Sequence, residues 1–330
     1  MEELDDIIQN QEKHVKEFDV PKRKGGKRHI IAPTARYKFI LKGINWRILN
    51  AYKTHEAAHG FVKSRGVVTN AVQHVGTNAV GSIDLSNFFD TVSEEHLKNV
   101  LFGNKRICKL CKNFKGMCEG KCSPSLYKNR DNNYAHKCEE ILASYVPNYE
   151  EKTGYQSLFK KFMSVAIYKD HTPQGFPTSP TLANIALRGM DKMIAEQCEE
   201  KGILYTRYAD DLSFSTTDND KIWLKDNTLG MATSIVRAFK FEVNKRKTKY
   251  TGRGGRMMVC GAVVNDKLSL PKWRVKKFRA EVHHATVKDV GNTTKTKIKE
   301  LKGFASWLMS LNPVIGNRYM SQLIEFESKM

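Results

Sequence analysis

The chain has 330 residues, of which 40% are hydrophobic, and it carries 55 Lys and Arg against 35 Asp and Glu, a formal net charge of +20. This length and apolar content suit a globular protein of two or three subdomains, and no apolar run approaches the roughly 20 residues of a membrane span. The N-terminus is acidic and lacks the features of a signal peptide, so we expect a cytoplasmic protein with no membrane partner. The excess of positive charge favours a polyanionic partner, and nucleic acid is the predicted class.

Apolar periodicity predicts two helices in the N-terminal part of the chain, with a basic segment between them. Residues 1–18 and residues 34 to about 54 have helical spacing, and in the second helix Phe39 and Ile44 are expected to share a buried face. The basic segment, Lys22–Arg28, has a central Gly-Gly pair. That pair indicates the tip of a hairpin.

A short buried strand is predicted over Val80–Asp84, and it ends in a carboxylate. Ser93 is placed to cap the helix that follows. Residues 103–135 then lack periodicity and are rich in Cys, Lys, Asn and Gly. We therefore predict an insertion at this point of the chain.

Cysteines in the insertion have the spacing of metal ligands. The candidate zinc ligands are Cys108, Cys111, Cys118 and Cys122, with His136 and Cys138 as spare ligands. Four thiolates at such spacing are typical of a structural zinc site, and the metal would supply the fold of a segment with little apolar content. The alternative is a set of reduced thiols without metal, as is usual in a cytoplasmic protein.

Two adjacent carboxylates, Asp210 and Asp211, follow one apolar run and precede another, which predicts a strand, a two-residue turn and a second strand. Plain turn chemistry is one explanation for such a pair. The other explanation is a divalent cation that relieves the repulsion between the two charges. Asp84, at the end of its own strand, would complete a set of three carboxylates able to hold two Mg²⁺ ions about 4 Å apart for phosphoryl transfer.

Basic residues concentrate near the C-terminus. The range Lys267–Lys302 contains eleven Lys or Arg and three Asp or Glu, a net charge of +8. Such a region is expected to contact nucleic-acid phosphates without reading sequence. Aromatic residues are interleaved with these charges, and we expect them mainly in the core, with base stacking as the alternative. They are Trp273, Phe278, Phe304 and Trp307.

The order of predicted strands and helices indicates an α+β fold with an antiparallel sheet, and several motifs in one order resemble the reverse transcriptase family. The motifs are Lys27–Pro33, Ile83-Asp84 with Phe88-Phe89, Gln174–Pro180, Tyr208–Asp211 and Asn244–Thr248. The resemblance covers roughly residues 20–310. It implies a right-hand polymerase, with an N-terminal helix and fingers over residues 1–80, a palm over 81–265 that includes the Cys-rich insertion at about 103–140, and a helical thumb over 266–330.

Within that family the chain resembles the bacterial retron reverse transcriptases. Asn70-Ala71-Val72-Gln73-His74 carries their Asn-Ala-x-x-His signature. Their second hallmark is Val-Thr-Gly, and the matching place in this chain is Val259-Cys260-Gly261, so Cys260 replaces Thr. The sequence therefore favours the retron type.

The resemblance implies roles for individual residues. It implies catalysis by Asp84, Asp210 and Asp211, and coordination of two Mg²⁺ ions by Asp84, Leu85, Asp210 and Asp211. It implies nucleotide contacts from Lys27, Arg28, Phe88, Phe89, Gln174, Gly175 and Lys247, with Phe89 as the steric gate against a ribose 2′-OH. It implies RNA contacts from Asn70, His74, Lys272, Arg274, Lys276, Lys277 and Arg279. Ordinary structural roles, such as a core aromatic at Phe89 or a core histidine at His74, are the alternatives.

The implied function is that of an RNA-directed DNA polymerase that copies part of its cognate structured noncoding RNA. Synthesis would be primed from an RNA 2′-OH with dNTPs as substrates, and the product would be a branched RNA–DNA molecule. The resemblance also implies a separate effector protein and a role in antiphage defence. Two alternatives remain: another bacterial defence-associated or intron-related reverse transcriptase, and a catalytically idle RNA-binding scaffold.

Overall fold

The structure is a computed structural model, and it describes residues 2–22, 25–47, 49–101, 161–218 and 227–329. Its described residues fall into two compact units. The first draws on Met1–Phe61, Leu85–Met193 and Val236–Glu242, and the second on Val62–Asp84, Ile194–Ile235 and Val243–Met330. None of the helices in the described ranges is both long enough and apolar enough to cross a membrane.

Ten helices and eight strands have bounds within the described residues. The helices are α1 (Glu2–Gln9), α2 (Ala35–Arg47), α3 (Val67–Ala71), α4 (Phe88–Thr91), α5 (Glu94–Leu101), α6 (Ser179–Glu199), α7 (Leu229–Ala238), α8 (Lys272–His283), α9 (Lys295–Leu311) and α10 (Pro313–Ser328). The strands are β1 (Val15–Pro21), β2 (Lys27–Pro33), β3 (Ala79–Asp84), β4 (Leu204–Tyr208), β5 (Asp211–Thr216), β6 (Lys249–Gly252), β7 (Met258–Val259) and β8 (Ala262–Val263).

In the first unit the predicted hairpin at the basic segment is present, but the first predicted helix is too long. Strands β1 and β2 pair antiparallel from Val15 opposite Pro33 to Pro21 opposite Lys27. Helix α1 ends at Gln9, and the apolar residues at positions 15, 18 and 20 belong to β1. Because β1 has β2 as a neighbour, tertiary pairing overrides the helical spacing seen in the sequence.

Helix α2 also differs from its prediction, since it ends at Arg47 and buries another face. Tyr37, Leu41 and Ile44 are its buried residues, at the spacing of one helical stripe. Phe39 is 78% exposed, so its predicted burial is wrong. The helix has apolar residues on more than one side, and periodicity alone could not identify the side that packs.

The second unit is built on a four-stranded antiparallel sheet with the order β4-β5-β3-β6. Strand β3 pairs with β5 from Ala79 opposite Thr216 to Asp84 opposite Asp211. Side chains alternate between the two faces of a sheet, so Asp84 and Asp211 project from one face. On the other face Gly81 leaves room for Leu229, whose Cδ2 would lie 3.0 Å from a Cβ at position 81.

Helices α8, α9 and α10 share one hydrophobic core with β7, β8 and α3. At its centre the ring of Phe278 lies 4.4 Å from Phe304 and 5.2 Å from Tyr319, measured between centroids. Phe278 therefore has the core position expected from the sequence. Trp273, by contrast, is 58% exposed and contributes little to this core.

Helices α9 and α10 approach closely at Gly316, because a Cβ there would overlap the backbone of Met309. We expect Gly316→Ala to lower the free energy of unfolding by about 1–3 kcal/mol, the usual cost of overpacking. Gly303, in the interior of α9, has nothing within 4 Å of the point that a Cβ would occupy. Gly303→Ala should therefore raise the free energy of unfolding by about 0.5–1 kcal/mol, since Ala is the better helix former.

Urea unfolding of the two variants measures this difference directly. The two substitutions are chemically identical and lie on neighbouring helices. They differ in the space that is available for the added Cβ. Equal effects of the two substitutions would contradict the close packing of α9 against α10.

Candidate active site

The predicted turn between two strands is present at Ala209 and Asp210. Strands β4 and β5 pair Tyr208 with Asp211, which leaves two residues in the turn. Ala209 has φ of 56°, a left-handed conformation that costs free energy for a residue with a Cβ. Such strain persists only where the surroundings hold the backbone.

Arg207 is one of the groups that hold this turn, and its role was not predicted from the sequence. Its side chain is fully buried, and its Nη1 donates a hydrogen bond of 2.9 Å to the carbonyl oxygen of Ala209. A buried cation beside the hairpin tip also offsets part of the negative charge of the two aspartates. The available signal was an arginine within an apolar strand, directly before the Tyr-Ala-Asp-Asp motif.

Asp84 and Asp211 face each other as neighbours on paired strands. Directly opposite residues in an antiparallel sheet have Cβ atoms about 4.5–5.5 Å apart, so the two carboxylates share a small volume. Asp210 adjoins Asp211 in the turn. The structure therefore brings together the three aspartates selected from the sequence. Leu85, the next residue along the chain from Asp84, is 2% exposed.

Lys247 binds the carboxylate of Asp84. Its Nζ donates to Oδ1 at 3.0 Å and to Oδ2 at 2.9 Å. The backbone supports this pair, since the amide of Asn244 donates to the carbonyl oxygen of Asp84 at 2.8 Å. Lys247 was predicted to contact the nucleotide, and in this structure its ammonium is instead the counterion of Asp84.

Asp211 has an unusual electrostatic environment. Burial, and after it the charges of Asp210 and Asp84, raise the pKa of Asp211 to about 7, while Lys247 and Lys249 oppose the rise. A second or third negative charge in this volume is therefore unfavourable unless a cation is present. Clustered carboxylate oxygens are the donors that Mg²⁺ prefers, so the donor chemistry of the three aspartates fits this ion.

The side chains are not arranged around a metal in this conformation. Among the described residues, no group of three or more His, Cys, Asp and Glu side chains has a geometry that could hold a metal ion. Lys247 is paired with both carboxylate oxygens of Asp84 in the same conformation. The predicted zinc ligands Cys108, Cys111, Cys118 and Cys122 lie outside the described residues.

Four predicted nucleotide-binding residues belong to the first unit and lie on the hairpin or the turn beside it. The backbone of Gln174 accepts a hydrogen bond of 2.9 Å from the amide of Ile31 on β2. Gly175 has φ of 133°, and a Cβ there would overlap the carbonyl oxygen of Ile31. This position therefore requires glycine. Lys27 and Arg28, at the start of β2, are exposed, and Lys27 Nζ lies 3.5 Å from Asp19.

The two phenylalanines after Asp84 differ in exposure. Phe88 is 5% exposed, so its ring is packed among other side chains, and its contact with a nucleotide stays a prediction. Phe89 is half-buried, with its ring centroid 4.9 Å from Phe88 and 6.0 Å from Phe61. A hydrogen bond of 2.9 Å from Thr172 Oγ1 to the Phe89 carbonyl fixes the backbone at this point.

The predicted RNA-binding residues divide into exposed and buried groups. Lys272, Lys276, Lys277 and Arg279 are exposed on α8. Arg274 is half-buried, with its guanidinium 4.4 Å from the ring centroid of Trp307.

Asn70 and His74 are 0% exposed, so neither side chain reaches the surface in this structure, and their contact with RNA stays a prediction. The burial has a physical reason: both side chains have polar partners inside the second unit, Cys260 for Asn70 and two strand hydroxyls for His74.

The family described as reverse transcriptase (RNA-dependent DNA polymerase) matches residues 20–263 of this chain. A retron Mx162 reverse transcriptase from Myxococcus xanthus is 28% identical over 96% of this chain and 61% of its own length. A retron Mx65 reverse transcriptase from the same organism is 29% identical over 91% of this chain and 62% of its own length. The retron Ec86 reverse transcriptase of Escherichia coli is 24% identical over 92% of this chain and 77% of its own length.

Among solved structures, telomerase from Candida albicans in complex with a fragment of telomeric RNA aligns with a TM-score of 0.47 and 13% identity, over 94% of this chain and 59% of that chain. The chain spans a little over three fifths of the length of the two Myxococcus relatives. The family match covers most of the chain and includes all three aspartates, and the described residues have the expected mixture of helices and antiparallel sheet. The chain therefore belongs to the reverse transcriptase family, with the α+β right-hand polymerase fold of that family, and it is of the bacterial retron type.

Proposed function

We propose that this chain is an RNA-directed DNA polymerase that copies part of a structured noncoding RNA into DNA. The observation that carries the proposal is the pairing of Asp84 with Asp211 at the end of β3, with Asp210 in the adjoining turn. This arrangement collects three carboxylates at one edge of a sheet, as two-metal nucleotidyl transfer requires. The family match and the retron relatives support the same reaction.

Asp84, Asp210 and Asp211 would hold two Mg²⁺ ions. When bound, such ions activate the attacking hydroxyl as a nucleophile and neutralise charge on the triphosphate and the leaving pyrophosphate. Lys247 would then release Asp84, and its ammonium would become available to a phosphate oxygen. Arg207 binds the carbonyl oxygen of Ala209 and would keep the hairpin tip in place when the charges around it change.

Predicted nucleotide-binding residues of the first unit would contact the incoming nucleotide. We propose that Lys27 and Arg28 bind the triphosphate, and that Gln174 and Gly175 line the nucleotide where their backbone is docked on β2. Phe89 would exclude a ribose 2′-OH, so that dNTPs are the substrates. Its half-buried ring has Phe88 and Phe61 beside it, and these contacts limit its freedom to move away from a bulkier sugar.

The exposed cations of α8, Lys272, Lys276, Lys277 and Arg279, would bind template and primer phosphates. The retron type supports the finer proposal that synthesis begins at an RNA 2′-OH and gives a branched RNA–DNA product. The same proposal includes a separate effector protein and a role in antiphage defence. Another kind of bacterial reverse transcriptase or an idle RNA-binding scaffold would behave differently in the experiments below.

Asp210→Asn tests the carboxylate set, because it removes one charge with almost no change in shape. We expect DNA synthesis on a primed RNA template to fall by at least about 100-fold, since charge stabilisation of the transition state is lost. The affinity for RNA, measured by filter binding, should stay within twofold. Asp218→Asn, at an exposed site just beyond β5, is the matched control and should synthesise DNA normally. Synthesis by the Asp210 variant at the control rate would refute the proposed site.

Asp211→Asn tests the electrostatic strain, with stability as the readout. The pKa of Asp211 is raised from 3.8 to about 7 in the folded state. Between these values the folded chain keeps a proton that the unfolded chain releases, so this carboxyl lowers the free energy of unfolding as pH rises through that window. In EDTA we expect the variant to be more stable than the parent by about 2–4 kcal/mol at pH 8, and the gain to shrink towards pH 4.

Urea unfolding at pH 4, 6 and 8 measures this gain. Added Mg²⁺ should stabilise the parent more than the variant and reduce the difference at pH 8, because the ion binds only the folded carboxylates. A gain that is independent of pH would show that Asp211 is not the strained group.

The nucleic acid bound to the protein in its host tests the retron assignment. We expect purification followed by sequencing to give a short DNA joined to a structured RNA through a 2′ branch. The Asp210→Asn protein, purified in parallel, should carry the RNA without the DNA. Unbranched DNA with the parent protein would point to another bacterial reverse transcriptase. RNA alone with both proteins would point to the scaffold.

A further inference from the structure

Helix α3 and the turn after it carry two polar side chains, Asn70 and His74, that are completely buried in the second unit. Ala71, between them in the sequence, belongs to the apolar core cluster that also contains Val80 of β3. Burying a polar group is costly unless it is hydrogen-bonded. The partners of these two side chains therefore indicate what the segment does.

His74 connects the two strands of the aspartate hairpin. Its Nδ1 lies 2.7 Å from Ser215 Oγ on β5, and its Nε2 lies 2.7 Å from Thr206 Oγ1 on β4. A hydroxyl can donate or accept, so a neutral imidazole satisfies both contacts with one N–H and one lone pair. One side chain thus ties together both strands that lead to the turn.

The sheet register sets these contacts on the face that carries the aspartates. Thr206 lies opposite Ser213, and Leu204 lies opposite Ser215, so Thr206 and Ser215 are diagonal neighbours on one face. Asp211 lies two and four residues before Ser213 and Ser215 on β5, and alternation places all three on that face. Thr206 precedes Asp210 by four residues. His74 therefore binds the hairpin two residue pairs below the closing pair Tyr208–Asp211 on β4, at Thr206, and four pairs below it on β5, at Ser215.

Asn70, on α3 itself, makes a second connection from the same segment. Its Nδ2 lies 3.2 Å from Cys260 Sγ, in the turn between β7 and β8. Burial, and after it the charge of Asp211, raises the pKa of the Cys260 thiol to about 12, so the thiol stays protonated and that turn lies within electrostatic range of Asp211. Helix α3 is thus linked on one side to the hairpin and on the other side to the β7–β8 turn.

We propose that His74, supported by Asn70, is a positioning residue that fixes the β4–β5 hairpin and so sets the geometry of Asp210 and Asp211. Apolar packing of a helix on a sheet tolerates small displacements, whereas directional hydrogen bonds to buried hydroxyls specify one register. The inference rests on the proposed function, since it takes Asp210 and Asp211 as the metal-binding carboxylates.

The test changes each side of the contact separately, the Thr206 hydroxyl in one variant and the His74 imidazole in another. Thr206→Val has nearly the same shape and lacks the hydroxyl, whereas Thr206→Ser keeps it. We expect Thr206→Val and His74→Gln each to lower kcat for single-nucleotide addition by about tenfold, as losses of supporting contacts around a metal site do. The KM for dNTP and the affinity for RNA should change less than twofold. The Mg²⁺ concentration for half-maximal synthesis should rise several-fold, and Thr206→Ser should restore both values.

A stability control separates positioning from simple weakening of the fold. Leu308→Ala removes a buried side chain from the core of α9 and should lower the free energy of unfolding without changing kcat per folded molecule or the Mg²⁺ dependence. The double variant His74→Gln with Thr206→Val should lose little more than either single variant, because both changes break the same contact.

Four outcomes decide between the two proposals. Normal kcat and Mg²⁺ dependence in folded Thr206→Val and His74→Gln would overturn the positioning role while Asp210→Asn remains inactive. The same kcat loss in Leu308→Ala would also overturn it, since any weakening would then suffice. Synthesis by Asp210→Asn would instead overturn the proposed function. Loss of kcat with rescue by Thr206→Ser supports both.

Discussion

Repulsion among three carboxylates is the constraint on which the second unit depends. The antiparallel register places Asp84 opposite Asp211, and the two-residue turn adds Asp210 beside them. Left alone, this arrangement would favour separation of the strands. It is held by cations on two sides, with Lys247 on Asp84 and Arg207 on the carbonyl of the turn. The pKa of Asp211 is raised first by burial and then by the charges of Asp210 and Asp84, which these cations offset only in part.

The same constraint explains why the sheet face below the aspartates is polar although it is buried. Thr206, Ser213 and Ser215 are all nearly inaccessible, where a sheet packed on a helix normally presents aliphatic side chains. Hydroxyls on this face give His74 its partners and hold the hairpin against a force that packing alone resists poorly. Ser213 Oγ and Asn70 Oδ1 have no hydrogen-bond partner among the described residues, so part of this polar surface is tolerated at a cost in stability.

The catalytic part of the site could be predicted from the sequence because its signals are local. An apolar strand that ends in Asp84 and a turn that contains Asp210 need only their immediate neighbours to be recognised. The sequence left open whether Asn70 and His74 are buried, because their hydrogen-bond partners are distant along the chain. The packing side of α2 was ambiguous for a related reason, since Phe39 and Tyr37 are both large aromatic residues on different sides of the helix. Burial is decided by tertiary contacts that periodicity does not contain.

The turn between β7 and β8 has a consequence for the hallmark residue that this chain lacks. Cys260 has φ of 49°, a region where β-branched side chains are disfavoured. A threonine at this position would offer Asn70 a stronger hydrogen-bond acceptor and would strain the backbone. Cysteine is a weaker acceptor and strains the backbone less. The strength of the hydrogen bond from Asn70 and the strain of the backbone thus favour different amino acids at this position. Threonine and cysteine can both accept the hydrogen bond from Asn70. Cys260 therefore departs from the family pattern but keeps the connection from α3 to the β7–β8 turn.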